Sequence, residues 1–346
     1  MTKPFQISSR REFLQKFGGG AVAFTLSKAT LSAGVKQLCG VFPVAFTPVT
    51  EDDKVDLDGL AAEVKFCNRG GVHGLVWPQL ASGWDTLSEK DRQEGAEAIV
   101  AAGKGARTTL VIGVQGPDMA AVIRYAKHAE KIGADAIISL PPKNVSDERA
   151  LLRYYQQVGR ATRLPLFAQT SGTMSVDLLI EMFKTIPTFR HVKDEAGNPL
   201  ERITKIRERT QDQLKVFSGL GVFTMITEME LGFAGHCPFT SLADVYASCY
   251  DLWHAGRKQQ AFDMFGRILA FNSIVPMSNA NILIARGVFK PGTKIRVGPG
   301  PHSGKSVGRS DVHAGSSLTE KEIAQHLKMY LGSYLKAQNK ELFYEE

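Results

Sequence analysis

The sequence predicts an α/β fold, a closed (β/α)8 TIM barrel with additional helices at its C-terminal end, and three observations carry that prediction. From residue 40 onward, short apolar runs alternate with longer segments whose apolar residues recur at helical spacing. No block is rich in strands alone, and this alternation calls for a parallel sheet. Eight such units fall within about 210 residues, which suits a closed barrel better than an open sheet. The first run leads into Thr47-Pro48-Val49 with no GxGxxG after it, so the phosphate turn of an open doubly wound sheet is missing.

Taken in order, the strand candidates are 41–46, 72–77, 108–114, 134–140, 165–170, 189–193, 215–219 and 232–237. Helical spacing between them is clearest at 57–67, 119–132, 176–183 and 200–207. The barrel is expected over 39–256 and a helical extension over 257–346, with helices at 257–273, 277–287 and 319–338. A Gly/Pro/Ser-rich stretch at 297–317 reads as a mobile surface loop. It contains Gly304-Lys305-Ser306, but the earlier glycine of a phosphate loop falls on Pro299, and no strand-to-helix context surrounds it.

Length and composition set broad limits. The 346 residues, 43% hydrophobic and 22% charged, suffice for a large core. Of the net charge of +7, residues 1–33 hold +4, from Lys3, Arg10, Arg11, Lys16 and Lys28 against Glu12. The remaining +3 is too small to argue for nucleic acid. Ser9-Arg10-Arg11-Glu12-Phe13-Leu14 followed by an apolar, glycine-rich run has the order of a twin-arginine export signal. Residues 1–33 are therefore expected outside the folded barrel and the mature protein outside the cytoplasm. That run is too short to span a membrane, and no other candidate span appears. Cys39, Cys67, Cys237 and Cys249 show no CxxC spacing, and the histidines form no HExxH, so neither a disulfide framework nor a metal site is implied.

The chemistry centres on His191-Val192-Lys193-Asp194-Glu195-Ala196-Gly197-Asn198, a short strand ending on a lysine before a turn and a helix opening near Pro199. Spacing alone leaves two readings, an exposed lysine in a βα loop or a desolvated amine poised to attack a carbonyl. Strand alternation puts His191 on the face of Lys193, one layer below, and sends Asp194 away from the interior. A protonated His191 would favour the neutral amine. Asp194 and Glu195 would oppose it if they turned inward.

Over most of 39–290 the chain resembles the dihydrodipicolinate synthase and N-acetylneuraminate lyase superfamily of class I aldolases. The marks are Val44-Ala45-Phe46-Thr47-Pro48, Thr86-Leu87-Ser88-Glu89-Lys90-Asp91-Arg92, and the stretch around Lys193, which departs from the family signature only at His191. The resemblance implies that Lys193 forms an imine with substrate. Ala81, Ser82 and Gly83 fall where the family holds the substrate carboxylate, and Trp84 replaces its glutamate. Asn144, with Lys143 beside it, stands where the family has a proton-relaying tyrosine. Gln169 and Ser171-Gly172-Thr173-Met174 replace another tyrosine and an arginine. Gly219 matches a pocket-lining glycine, followed by Leu220-Gly221 in place of an acidic pair, and Cys237 ends the eighth strand.

The expected function is thus a lyase or aldolase acting on a 2-oxo acid or sugar acid through a Lys193 Schiff base. Lys143, Asn144 and His191 are the candidates for proton traffic, and Ala81, Ser82, Gly83, Gly219 and Cys237 those for substrate binding. The lost tyrosine and arginine argue against the lysine-biosynthetic synthase reaction. They leave open a barrel that binds a sugar acid or small carboxylate without turnover. Trp77 and Trp84 read as pocket wall, His191 equally as a barrel-filling residue. No cofactor is implied. The partner is a small molecule, and the resemblance implies a homo-oligomer, a tetramer.

Overall fold

The structure, a computed structural model, describes residues 36, 38–172, 174–219, 222–275, 279–297, 308–310, 318–335 and 339. The expected export signal, the Leu220-Gly221 pair and Thr173 lie outside these residues.

All eight predicted strands form, as β1 (Gly40–Val41), β3 (Gly74–Trp77), β4 (Thr109–Gly113), β5 (Ala136–Ser139), β6 (Leu166–Gln169), β7 (Phe189–Asp194), β8 (Lys215–Ser218) and β9 (Gly235–His236). They pair in parallel in sequence order from β3 to β9 and then to β1. Val44 closes the ring, bridging Val76 on one side and Phe239 on the other. The Ala45 amide donates to Val76 O, and the Val76 amide to Pro43 O, each at 2.9 Å. The result is the expected TIM barrel.

The intervening helices begin where short polar side chains can satisfy the unpaired first-turn amides. Asp56, Asp118, Asp147 and Ser175 cap the helices Leu57–Arg69, Met119–Ile132, Glu148–Ala161 and Val176–Thr185, and Ser88 with Asp91 forms a capping box at Glu89–Ala102. Inside the barrel Phe42, Phe167 and Phe217 interlock, with Phe42 edge-on to Phe217 at 5.1 Å between ring centroids. Such pairs add about 0.5–1.5 kcal/mol each beyond their burial. They pack the lower barrel into a solid floor, beneath the upper, C-terminal strand ends where barrel sites form.

The C-terminal helices Lys258–Ile274, Asn279–Ala285 and Glu320–Leu331 are where the spacing placed them. A buried clamp ties them to the last barrel helix, Ala243–His254: Arg286 donates two hydrogen bonds to Asp244, at 2.8 and 2.7 Å, and Asn339 adds a third at 2.9 Å.

The extension is not wholly helical, which corrects the sequence reading. Strand β2 (Thr47–Val49) pairs antiparallel with β10 (Lys294–Val297), which pairs in turn with β11 (Gly308–Ser310). A strand therefore occupies part of the stretch read as a mobile loop. Pro48 is tolerated because β2 is an edge, where one missing donor costs little. No single helix among the described residues is long and apolar enough to cross a membrane.

Candidate active site

Lys193 is the fifth residue of β7, and its orientation is set by the turn that follows. Thr170 donates its hydroxyl to Asp194 at 2.7 Å and accepts the amides of Glu195 and Ala196, at 2.7 and 3.0 Å. Arg202 closes on the other Asp194 oxygen at 2.9 Å. Asp194 thus faces outward, as alternation requires, and is fully engaged in fixing the strand end. Gly197 takes a left-handed conformation at φ 56°, open to glycine without strain. Asn198 caps the helix Pro199–Thr210, accepting from the Leu200 amide. Each residue of the signature has a structural task, and together they aim Lys193 inward.

The Lys193 amine opens into a cavity of about 340 Å³ at the upper end of the barrel. Its walls are mostly apolar, with Val44, Leu80, Val222, Phe239, Val275 and Ile282. Gln79, Gln169, Ser241, Tyr246, Asn272 and Asn279 supply neutral polar groups. Neither Trp84 nor Met174 closes it. Ala81, Gly219 and Cys237 line it, where the sequence placed them. Asn272, Asn279 and Ile282 come from the C-terminal helices, whose role as a cavity wall had no signal in the sequence.

The amine is not the neutral nucleophile expected from apolar walls. Glu195 turns inward, and its Oε1 lies 3.0 Å from Lys193 Nζ. Burial pushes the ammonium down, but the Glu195 charge and the Glu195 hydrogen bond oppose it, and the net direction is upward. Lys193 is therefore held as a cation. Gln169, opposite Lys193 in the β6–β7 register, donates to Glu195 Oε2 at 2.5 Å. Gly219 makes room for this arrangement: a Cβ there would lie 2.1 Å from Glu195 Oε1 and 2.6 Å from Cδ.

His191 does not help to deprotonate the lysine. It stacks on Phe167 at 4.3 Å between ring centroids, and burial, with Lys215 and Arg190 nearby, lowers its pKa to about 4. It is a neutral ring filling the barrel floor. Ser82 is also spent: its hydroxyl donates to Ala45 O at 2.6 Å and accepts the Gln79 amide at 3.1 Å. Gly83, left-handed at φ 62°, turns the chain after this 3-10 turn, Leu80–Ser82, without lining the cavity. Of the three residues placed at a carboxylate, Ala81 alone faces the cavity.

Lys143 and Asn144 are not brought to Lys193. They line a neighbouring recess with Trp84, Leu140 and Pro141, where Lys143 pairs with Asp85 at 2.8 Å and lies over the Trp84 ring. Exposure explains this, since a hydrated ammonium has no reason to enter the apolar cavity. Trp77 is core, fully buried, donating its Nε1–H to Thr47 at 2.8 Å, with Gly95 packed against its ring.

With this geometry established, three comparisons bear on it. A model described as "Dihydrodipicolinate synthetase family" matches residues 37–295. A 4-hydroxy-tetrahydrodipicolinate synthase of Methanosarcina mazei is 26% identical over 179 residues, 50% of this chain and 60% of that protein. The chain thus spans less than two thirds of that relative's length. An uncharacterized DapA-like lyase of Thermococcus onnurineus is 24% identical over 254 residues, 70% of this chain and 84% of that protein. A sialic acid aldolase of Ruminococcus gnavus superposes with a TM-score of 0.71 at 18% identity, over 86% of this chain and 99% of its own. At that identity the likeness concerns the fold.

Proposed function

This chain belongs to the dihydrodipicolinate synthetase family, and from that premise we propose that it is a lyase forming an imine between Lys193 and a 2-oxo acid. The observation that carries this reading is the placement of Lys193: a buried amine at the mouth of a barrel strand, facing a small-molecule cavity. The protonated imine draws electrons from the neighbouring carbon, so that a C–C bond cleaves or forms there, or water is lost. Ala81 and the opening of the Leu80–Ser82 turn receive the carboxylate. The first amides of such a turn have no carbonyl of their own helix to bond.

Apolar walls favour a 2-oxo acid with one carboxylate and a weakly polar remainder over a polyhydroxylated sugar acid. Lys193 and Glu195 are the only charged groups among the described lining residues. A second carboxylate would be buried without a partner, which is costly. This, with Asn144 standing outside the cavity, argues against the lysine-biosynthetic condensation as its reaction. Export is proposed on the Arg10-Arg11 sequence alone.

Reduction with borohydride in the presence of pyruvate, phenylpyruvate and a panel of 2-oxo sugar acids tests the reading. A reduced adduct on the peptide holding Lys193, absent in Lys193→Ala, is the expected result. The second reading, a binder without turnover, is favoured by one observation, the lysine held as a cation by Glu195. Tight binding of a panel member with no adduct would establish it.

A further inference from the structure

We propose that Glu195 is a catalytic residue, the proton carrier of imine formation at Lys193. This rests on the Schiff-base reading and adds the group that makes it workable. Glu195 Oε1 touches the reacting nitrogen directly, at 3.0 Å, within the reach required of a general base. Its second oxygen is fixed by Gln169, and the backbone beneath is glycine where any side chain would displace the carboxylate. Both features hold it over the amine while it lines the cavity.

The other ionisable groups around the pair are committed elsewhere. Cys237 is pushed up to about 12 by burial, and so stays a thiol. Tyr246 is likewise raised to about 12 and is bonded to Asn272. His191, below, is neutral and packed against Phe167. Asp194 is taken up by Arg202 and Thr170, and Glu228 by His236, Ser218 and Thr224. Among the described residues lining the cavity, Glu195 is left as the one carboxylate able to exchange a proton with the amine.

The steps balance. Glu195 takes a proton from the Lys193 ammonium, giving a carboxylic acid and a free amine. The amine attacks the carbonyl carbon, forming the C–N bond while the C=O electron pair moves to oxygen. One proton passes from nitrogen to that oxygen, giving a neutral carbinolamine. Glu195 then returns its proton to the hydroxyl, the C–O bond breaks, and water leaves. The products are the protonated imine, one water and the original carboxylate, with no other reactant needed.

A competing role, a counter-ion that merely makes burial of the lysine tolerable, predicts the opposite effect of mutation. Removing a counter-ion would lower the lysine's pKa, expose more free amine at neutral pH and speed trapping. The test measures the rate of reductive trapping by pyruvate and by phenylpyruvate from pH 5 to 10 in the wild-type chain, Glu195→Gln and Glu195→Asp. The unfolding midpoint of each variant confirms folding. Slowing of about a hundredfold or more in Glu195→Gln, with partial recovery in Glu195→Asp, is the expected result. Trapping in Glu195→Gln as fast as wild type or faster would overturn the role of Glu195 and leave the Schiff base intact. No adduct in the wild-type chain would overturn both.

Discussion

Replacing Gly219 with alanine tests the site through its backbone and leaves every charge in place. The new Cβ would lie 2.1 Å from Glu195 Oε1, 2.5 Å from Cγ and 2.6 Å from Cδ. Real contacts of this kind do not fall below 3.0 Å, so the carboxylate must withdraw by about 1 Å or swing out. Either movement breaks its 3.0 Å contact with Lys193. A hydrogen bond to a charged group contributes about 1.5–3 kcal/mol. At about 1.4 kcal/mol per pKa unit, losing it lowers the lysine by about one to two units. Burial, which already opposes the ammonium, then acts with less resistance. The assay is the pH profile of reductive trapping by pyruvate, with the lysine limb expected one to two units more acid and the maximal rate reduced as Glu195 leaves the nitrogen. A Gly219→Ala protein whose profile superposes on wild type would refute the reasoning, because the overlap leaves the carboxylate no way to stay.

Two further predictions concern the frame around the site. Glu63 is fully buried, and burial raises its pKa from 4.5 to about 8, against the opposing hydrogen bonds from Thr240 and Phe46. The native protein therefore keeps a proton that the unfolded chain releases above 4.5, so this stability is full below that pH and lost as pH rises through about 8. In Glu63→Gln the unfolding free energy should fall less steeply between pH 5 and 9 than in wild type; an unchanged slope in urea titrations would exclude the assignment. Asp244→Asn leaves the fully buried Arg286 without its carboxylate and should cost about 3–5 kcal/mol. A loss under about 1 kcal/mol in chemical unfolding would show the clamp to be expendable.

Much of the frame was legible because its causes are local. Apolar runs of strand length separated by helical spacing identify each barrel unit, and Pro199 marks the start of the helix that follows Lys193. The pairing of Thr47–Val49 with Lys294–Val297 was not legible, since it joins segments some 245 residues apart and Pro48 argues against a strand. Within the site, Lys193 and Cys237 follow from their position at strand ends, and Ala81 and Gly219 from the family resemblance. Lys143 and Asn144 do not, because they lie four and five residues past the end of β5, beyond the reach of its alternation, and settle by solvation. Glu195 was within reach: the alternation that sends Asp194 outward, carried one residue past the strand, returns Glu195 to the inside. What the sequence cannot show is the space for it, which depends on Gly219 from the adjacent strand.

The pair also resolves an apparent conflict between a lysine held as a cation and a lysine that attacks a carbonyl. In the proposed reaction the amine is neutral only for the moment of addition. Before that step the nitrogen is an ammonium, and after loss of water it is an iminium, so Glu195 faces a positive nitrogen at both ends of imine formation. A carboxylate fixed by Gln169 and cradled over Gly219 therefore needs no rearrangement as charge returns to the nitrogen. Preorganised electrostatics of this kind are among the largest contributions to catalysis in a water-poor site. A deeper apolar pocket without Glu195 would give a readier nucleophile and a poorly stabilised product imine. With Glu195 as the proposed carrier, the proton removed to start the reaction would stay on the carboxylate that lies 3.0 Å from the nitrogen, ready for the departing hydroxyl.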